Sequence, residues 1–386
     1  MNRKTIVSVI GTRPEAIKMA PVVLRLRRDA DLRSLVVVTG QHRALVDQVL
    51  ADFAIKPDID LDLMRPGQGL AGLTASLVET LDDRLAALGP IDLALVQGDT
   101  TTAFSAALAA FYRRVPVGHV EAGLRTHDLS APWPEEANRQ LIARLASLHF
   151  APTDGARANL VREGIDPASI EVTGNTGIDA LLLAVETIET VNMKMGHNRP
   201  HVLITCHRRE SFGAPMRSIC EAVADLAARH PGVRFVFPVH PNPEVVATVS
   251  AVLGNPDDPR LKAGNVERIG PLPYHAFVAA MASSTLILTD SGGAQEEAPS
   301  LGKPVLVLRD ATERPEGVAA GAVRVVGTDR GRVVAEVSRL LDDPEAASAM
   351  ARVRNPYGDG RAAERIVALC RRFLGLGPSR SGDGDT

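Results

Sequence analysis

The side chains that could do chemistry in this 386-residue chain sit in short polar strings, each following a run of β-branched and apolar residues. The first string is Gly11-Thr12-Arg13-Pro14-Glu15-Ala16-Ile17-Lys18, directly after the run Thr5 to Ile10. Glycine at a tight turn, proline in a first helical turn, and Arg13 and Lys18 near the positive end of a helix together suit a phosphate. The same string also reads as a plain strand-to-helix turn with two solvated cations, and it is neither a Walker A loop nor GxGxxG. Asp99, in Gln97-Gly98-Asp99-Thr100-Thr101-Thr102, falls just beyond another apolar run, at the edge where open α/β sheets bind ligands. It could equally cap the helix that follows. His119-Val120-Glu121-Ala122-Gly123-Leu124-Arg125 delivers a carboxylate, a glycine and an arginine to the same edge. In Pro132-Trp133-Pro134-Glu135-Glu136-Ala137-Asn138-Arg139 the prolines start a helix, and Glu135 and Glu136 fall where carboxylates also complement a helix dipole.

The second half repeats the theme. Cys206-His207-Arg208-Arg209-Glu210 ends one apolar run, and a phosphate would account for a histidine followed by two arginines. Val239-His240-Pro241 ends another. Asp290-Ser291-Gly292-Gly293-Ala294-Gln295-Glu296-Glu297 offers backbone N–H groups to an anion, with Glu297 placed for ribose hydroxyls or for the dipole. Arg309 to Glu316 brings two further arginines, Arg309 and Arg314. There is no HExxH, no GxSxG and no metal-spaced Cys/His cluster, which removes support for metal hydrolysis and for a serine nucleophile.

The elements that must position these strings alternate between short β-branched runs and amphipathic stretches of helical length, the signature of parallel βαβ units. Strands are predicted at residues 5–10, 34–39, 93–97, 115–120, 147–151 and 170–172, then at 201–205, 233–238, 266–269, 285–289, 304–308 and 323–325. The two series predict two doubly wound sheets in two domains, residues 1–175 and 176–359, since single cores stop growing well below this length. A boundary segment lies around 175–200, a final helix at about 360–373, and residues 375–386, rich in Gly, Ser and Asp, read as disordered. The formal net charge of -3 provides no field for nucleic acid or an anionic membrane, so an anionic ligand must be held by local groups. Three scattered cysteines suit a reducing compartment, and no signal peptide or membrane span is evident, so a cytoplasmic location is expected.

Six of these strings, in register from about Lys4 to Arg372, resemble the non-hydrolysing UDP-N-acetylglucosamine 2-epimerases: Gly11 to Pro21, Gly98 to Thr102, His119 to Thr126, Pro134 to Arg139, His207 to Glu210, and Ser291 through Glu316. The resemblance implies a glycogen-phosphorylase-like GT-B fold of two Rossmann-like domains with the active site in the cleft between them. It also implies that the last helix packs back on the N-terminal domain, and that the enzyme is a homodimer needing no cofactor and no metal. The implied reaction is reversible epimerisation of UDP-GlcNAc and UDP-ManNAc at C2, by loss of UDP to 2-acetamidoglucal and re-addition. A hydrolysing epimerase releasing ManNAc and UDP, or a GT-B glycosyltransferase, remains an alternative.

By position in those motifs, Asp99, Glu121, Glu135 and His207 are the implied catalytic groups. Arg13, Lys18, Ser291, Gly292, Gly293 and Arg314 are the implied phosphate contacts, and Phe277 and Glu297 the uridine contacts. Some members of the family are activated by a second UDP-GlcNAc, a role that would fall on Gln41, Glu136, Arg208, Arg209 and His240. Two positions expected to carry a glutamine and an arginine there are Ala44 and Gly67, which supply neither hydrogen bonds nor charge.

Overall fold

A computed structural model describes residues 3–41, 43–65, 67–190, 199–208, 211–254 and 264–377. The chain splits into two compact units, Met1–Leu182 with Gly358–Thr386, and Leu183–Tyr357. Each is an all-parallel sheet flanked by helices, as the alternation of apolar runs and amphipathic stretches requires.

The first unit holds β1 (Lys4–Ile10), β2 (Leu32–Val38), β3 (Ile59–Asp60), β4 (Leu93–Gln97), β5 (Val117–Val120), β6 (Leu148–Ala151) and β7 (Ile170–Val172). Their order is β3-β2-β1-β4-β5-β6-β7. β1, β4 and β5 are buried almost throughout, which explains runs of apolar residues without alternation. Val7, Val9 and Val96 pack against Leu73, Leu77, Leu81 and Leu85, the four-residue stripe of the helix Leu70–Ala87. The helix Ala362–Phe373 belongs to this unit. Asp179 accepts its first N–H groups, from Ala362 at 3.1 Å and Ala363 at 2.8 Å. At its other end the buried Arg371 guanidinium grips both oxygens of Asp29 at 2.6 and 2.7 Å and reaches Asp31 at 2.9 Å.

The second unit holds β8 (His201–Thr205), β9 (Arg234–Pro238), β10 (Val266–Ile269), β11 (Leu286–Thr289), β12 (Val305–Val307) and β13 (Val323–Val325), in the order β10-β9-β8-β11-β12-β13. Val202, Ile204, Phe235, Phe237, Leu286 and Leu288 pack with the helix Ala214–Arg229 through Met216, Ile219, Val223 and Leu226. In both sheets the chain starts in the interior, winds outward one way, then returns and winds the other way. The switch falls between β1 and β4 in one sheet and between β8 and β11 in the other.

Two details depart from expectation. β3 was not anticipated, because two half-exposed residues paired to Val37 and Val38 leave no apolar run to read. Strand ends also shift by one or two residues, as at β2 and β5. Most of the segment at 190–200 and of the tail, namely 191–198 and 378–386, lies outside the described residues. No helix among the described residues is long and apolar enough to cross a membrane.

Candidate active site

At the carboxyl edge of the first sheet, the turns after β1, β4 and β5 are tied to one another by side chains. Glu15 is fully buried and accepts hydrogen bonds from the N–H groups of Gly11 (2.7 Å) and Thr12 (2.6 Å), and from the Thr100 hydroxyl. Burial pushes its pKa up against the pull of those three donors. Glu15 therefore closes the β1 turn and joins it to the β4 turn. Gly11 is required for closeness: a Cβ there would lie 2.2 Å from the Thr102 hydroxyl, which itself donates to Gln41 Oε1 at 2.8 Å.

The carboxylates expected to act as acid and base follow. Asp99 lies just past β4 and does not cap the next helix; that cap is Thr100, whose side chain accepts from the N–H of Ala103. Its carboxyl is left to face Arg139, whose Nη2 is 2.8 Å from Oδ2. The Asp99 pKa is pushed up to about 6. Burial is the main cause, Glu121 and Glu135 add to it, and Arg139 and Lys18 pull it down. Glu121 follows β5 with φ 65°, a left-handed conformation rare for a residue with a side chain. That backbone lets its carboxylate take hydrogen bonds from Lys18 and from Gln97. Beneath them, burial holds the His119 pKa down at about 3, so the ring is neutral and its Nε2–H donates to the Gly98 carbonyl at 2.7 Å. Glu135 opens the helix Glu135–Leu145, close enough to Asp99 to raise its pKa.

Two other residues of this edge are structural clamps. Glu136 is fully buried and accepts from the N–H groups of Thr126 and His127 at 3.0 and 3.2 Å and from Gln140 at 2.8 Å. Arg125 does not reach the ligand edge as its position suggested. Its side chain is fully buried in a bidentate pair with Glu163 at 2.7 and 2.8 Å. Lys18, expected on phosphate, is paired with Glu121, whereas Arg13 is half-buried on the first helical turn.

In the second unit the pin is Asp290, fully buried after β11. One oxygen accepts from Cys206 Sγ (3.2 Å), the N–H groups of His207 and Arg208 (2.9 Å each) and the Ser211 hydroxyl (2.9 Å). The other oxygen lies 3.2 Å from His207 Nδ1. Burial disfavours the charge, but His207 and these donors outweigh it and hold the carboxyl well below the usual carboxylate range. Asp290 therefore shapes the β8 turn and orients His207, leaving the imidazole 44 % exposed. The His240 ring lies over that of His207 at 6.2 Å and 25°.

The Ser291 N–H is taken by the Thr289 hydroxyl at 2.9 Å, which leaves the glycines to offer the open backbone of that turn. A Cβ on Gly292 would lie 3.2 Å from an Arg314 Nη and 3.5 Å from an Arg208 Nη, so both guanidiniums border the space that a side chain there would fill. Arg314 Nε donates to the buried Glu296 at 2.6 Å. Phe277, on the helix Tyr274–Ser283, and Glu297 are half-buried. Of the residues considered for a second nucleotide-sugar, Gln41 and Glu136 are engaged as described, Arg208 and His240 flank His207, and Arg209 lies outside the described residues. Sequence reading missed Glu15, Arg139 and Asp290 as organisers. Each was visible in a motif, but a deciding partner comes from elsewhere in the chain: Thr100 for Glu15, Asp99 for Arg139 and the β8 turn for Asp290.

Two parallel sheets with carboxylates at one switch point and a His-Asp pair beside arginines at the other define a two-domain α/β protein with a GT-B-like fold. A family model described as UDP-N-acetylglucosamine 2-epimerase matches residues 24–371. The chain belongs to the UDP-N-acetylglucosamine 2-epimerase family. The enzyme of that name from Escherichia coli (strain K12) is 52% identical over 372 residues, covering 94% of this chain and 97% of the relative. The crystal structure of UDP-GlcNAc 2-epimerase from Neisseria meningitidis bound to UDP-GlcNAc matches with a TM-score of 0.87 at 46% identity, covering 95% of this chain and all of that one (100%). The S. aureus MnaA-UDP co-structure matches with a TM-score of 0.85 at 43% identity, covering 99% and 100%.

Proposed function

We propose that this enzyme interconverts UDP-GlcNAc and UDP-ManNAc at C2 without hydrolysis. The observation that carries the reading is the group Asp99, Glu121 and Glu135: three carboxylates near one another, one with its pKa raised to about 6. No carbonyl activates the C2 proton of the sugar, so direct removal would need an unreasonably strong base. Departure of UDP from C1 builds oxocarbenium character that acidifies C2–H, and a carboxylate then takes the proton to leave 2-acetamidoglucal. Return of UDP to C1 and of a proton to the other face of C2 gives the epimer. Acid/base groups for both faces are what the carboxylate group supplies. His207, oriented by Asp290, with Arg13, Arg314 and the Ser291-Gly292-Gly293 backbone, would stabilise the leaving diphosphate. Phe277 and Glu297 would take uracil and ribose. A glycosyltransferase has no use for acid/base groups on both faces of C2.

We also place the enzyme in the cytoplasm as a homodimer. The three cysteines are free and buried, which suits a reducing compartment. Phe111 and Tyr112, paired rings at the end of the helix Thr101–Tyr112, and Leu141 on the helix Glu135–Leu145 are each exposed, and large exposed apolar side chains suit burial against a second copy.

Incubation with UDP-GlcNAc alone in D2O, followed by proton NMR, tests the chemistry. Deuterium should enter C2 of both epimers, with UDP-ManNAc as product. Retention of the original proton would refute the elimination route, and accumulation of free ManNAc with UDP would point to the hydrolysing alternative.

A further inference from the structure

Three arginines of the second unit, Arg208, Arg309 and Arg314, share a carboxylate to which the proposed chemistry gives no part. Glu313 Oε2 is 3.1 Å from Arg314 Nη1, while Oε1 is 3.7 Å from Arg208 Nη1 and 3.6 Å from Arg309 Nη2. Three guanidiniums therefore converge on one carboxylate, and two of them border the side-chain space of Gly292. We propose that Glu313 is a built-in competitor for the nucleoside diphosphate, a negative charge among the arginines that limits how tightly UDP is retained.

A carboxylate in that place could instead be an organiser that holds the arginines ready. The geometry argues against this for Arg314, which is positioned from the opposite side. Its Nε donates to Glu296, its backbone N–H donates to the Thr312 hydroxyl at 3.1 Å, and that hydroxyl donates in turn to Gln295. Glu296 and Glu313 also differ in kind: the Glu296 side chain is 5% exposed and the Glu313 side chain 41%. Only one of the three Glu313 distances, that to Arg314, falls within ordinary hydrogen-bond range. A more exposed carboxylate that keeps one short hydrogen bond can be displaced by a phosphate, which offers the same arginines more oxygens and more charge. Whether it leaves or stays, its charge opposes that of the diphosphate. The consequence fits a reaction in which UDP must be held through elimination and the product then released.

The proposal rests on the reading of these arginines as diphosphate contacts, and its test separates the two. UDP and uridine binding are measured by calorimetry for the full-length protein and for Glu313→Gln and Glu313→Ala, with circular dichroism confirming that both variants fold. Both variants should bind UDP about tenfold more tightly or better, with a steeper salt dependence, while uridine affinity is unchanged. UDP affinity that is equal or weaker in both variants would overturn the proposal alone and make Glu313 an organiser. Equal tightening toward uridine would also overturn it. Failure of the unsubstituted protein to bind UDP would remove the functional reading and the proposal together.

Discussion

Replacing Arg139 should move the pH dependence of the reaction, because its guanidinium is the largest influence opposing the raised pKa of Asp99. The contact is 2.8 Å, with both side chains mostly shielded from solvent. An adjacent opposite charge lowers a carboxyl pKa by about 1–3 units. Its loss in Arg139→Met should therefore carry Asp99 from about 6 to between about 7 and 9. If Asp99 works ionised, the acidic limb of the rate profile moves up, and the rate at pH 7 falls about tenfold for a two-unit shift. If Asp99 works protonated, the alkaline limb moves up by the same amount. Arg139→Lys should restore most of the position. The fold should survive, because Glu136, the other partner of Arg139 at 3.5 Å, keeps its bonds to Thr126, His127 and Gln140. Initial rates from pH 5 to 9, read by NMR, decide the matter. Limbs that stay in place or move down would show that Arg139 does not govern Asp99.

Asp99→Asn, Glu121→Gln and Glu135→Gln should each lower turnover by about 100-fold or more while UDP binding survives, and near-normal rates in all three would refute their assignment. The Asp99 pKa in the folded protein, about 6, lies above its ordinary 3.8, so folding favours the protonated form. Its contribution to stability is full below 3.8 and is lost as pH rises through 6; Asp99→Asn should raise the melting temperature at pH 7 relative to the parent but not at pH 3.5, and an equal effect at both would contradict the raised pKa. Alanine at Arg13 or Arg314 should weaken UDP binding measured by calorimetry, and unchanged affinity in both would mean the phosphate contacts are misplaced. With Ala44 and Gly67 in place of effector-binding side chains, progress curves from pure UDP-ManNAc should start without a lag; a lag abolished by added UDP-GlcNAc would contradict this.

Much of the architecture was legible because its cause is local. Buried parallel strands must be apolar on both faces, so twelve short β-branched runs marked twelve of the strands, whereas β3 has no such run. The polar strings after those runs could be placed at the ligand edge for the same reason. What could not be read was the pairing among them. Glu15 looks like any first-turn carboxylate until Thr100, 85 residues away, is brought against it. Asp290 looks like a ligand group until Ser211, 79 residues earlier, and the β8 turn close over it. Arg125 has the composition of a site residue, and only the approach of Glu163 turns it into a buried pair.

The placement of the switch points bears on which parts of the molecule can open. β1 and β4, like β8 and β11, have a bonded neighbour on each side, while β3, β7, β10 and β13 are the outermost strands. The turns carrying Arg13, Asp99, His207 and Ser291 thus grow from the strands that should exchange their amide hydrogens last, and fraying should begin at the rims. Local opening at a rim strand would leave these turns intact, so the edges of each sheet can drift in sequence, or accept insertions, with little effect on turnover.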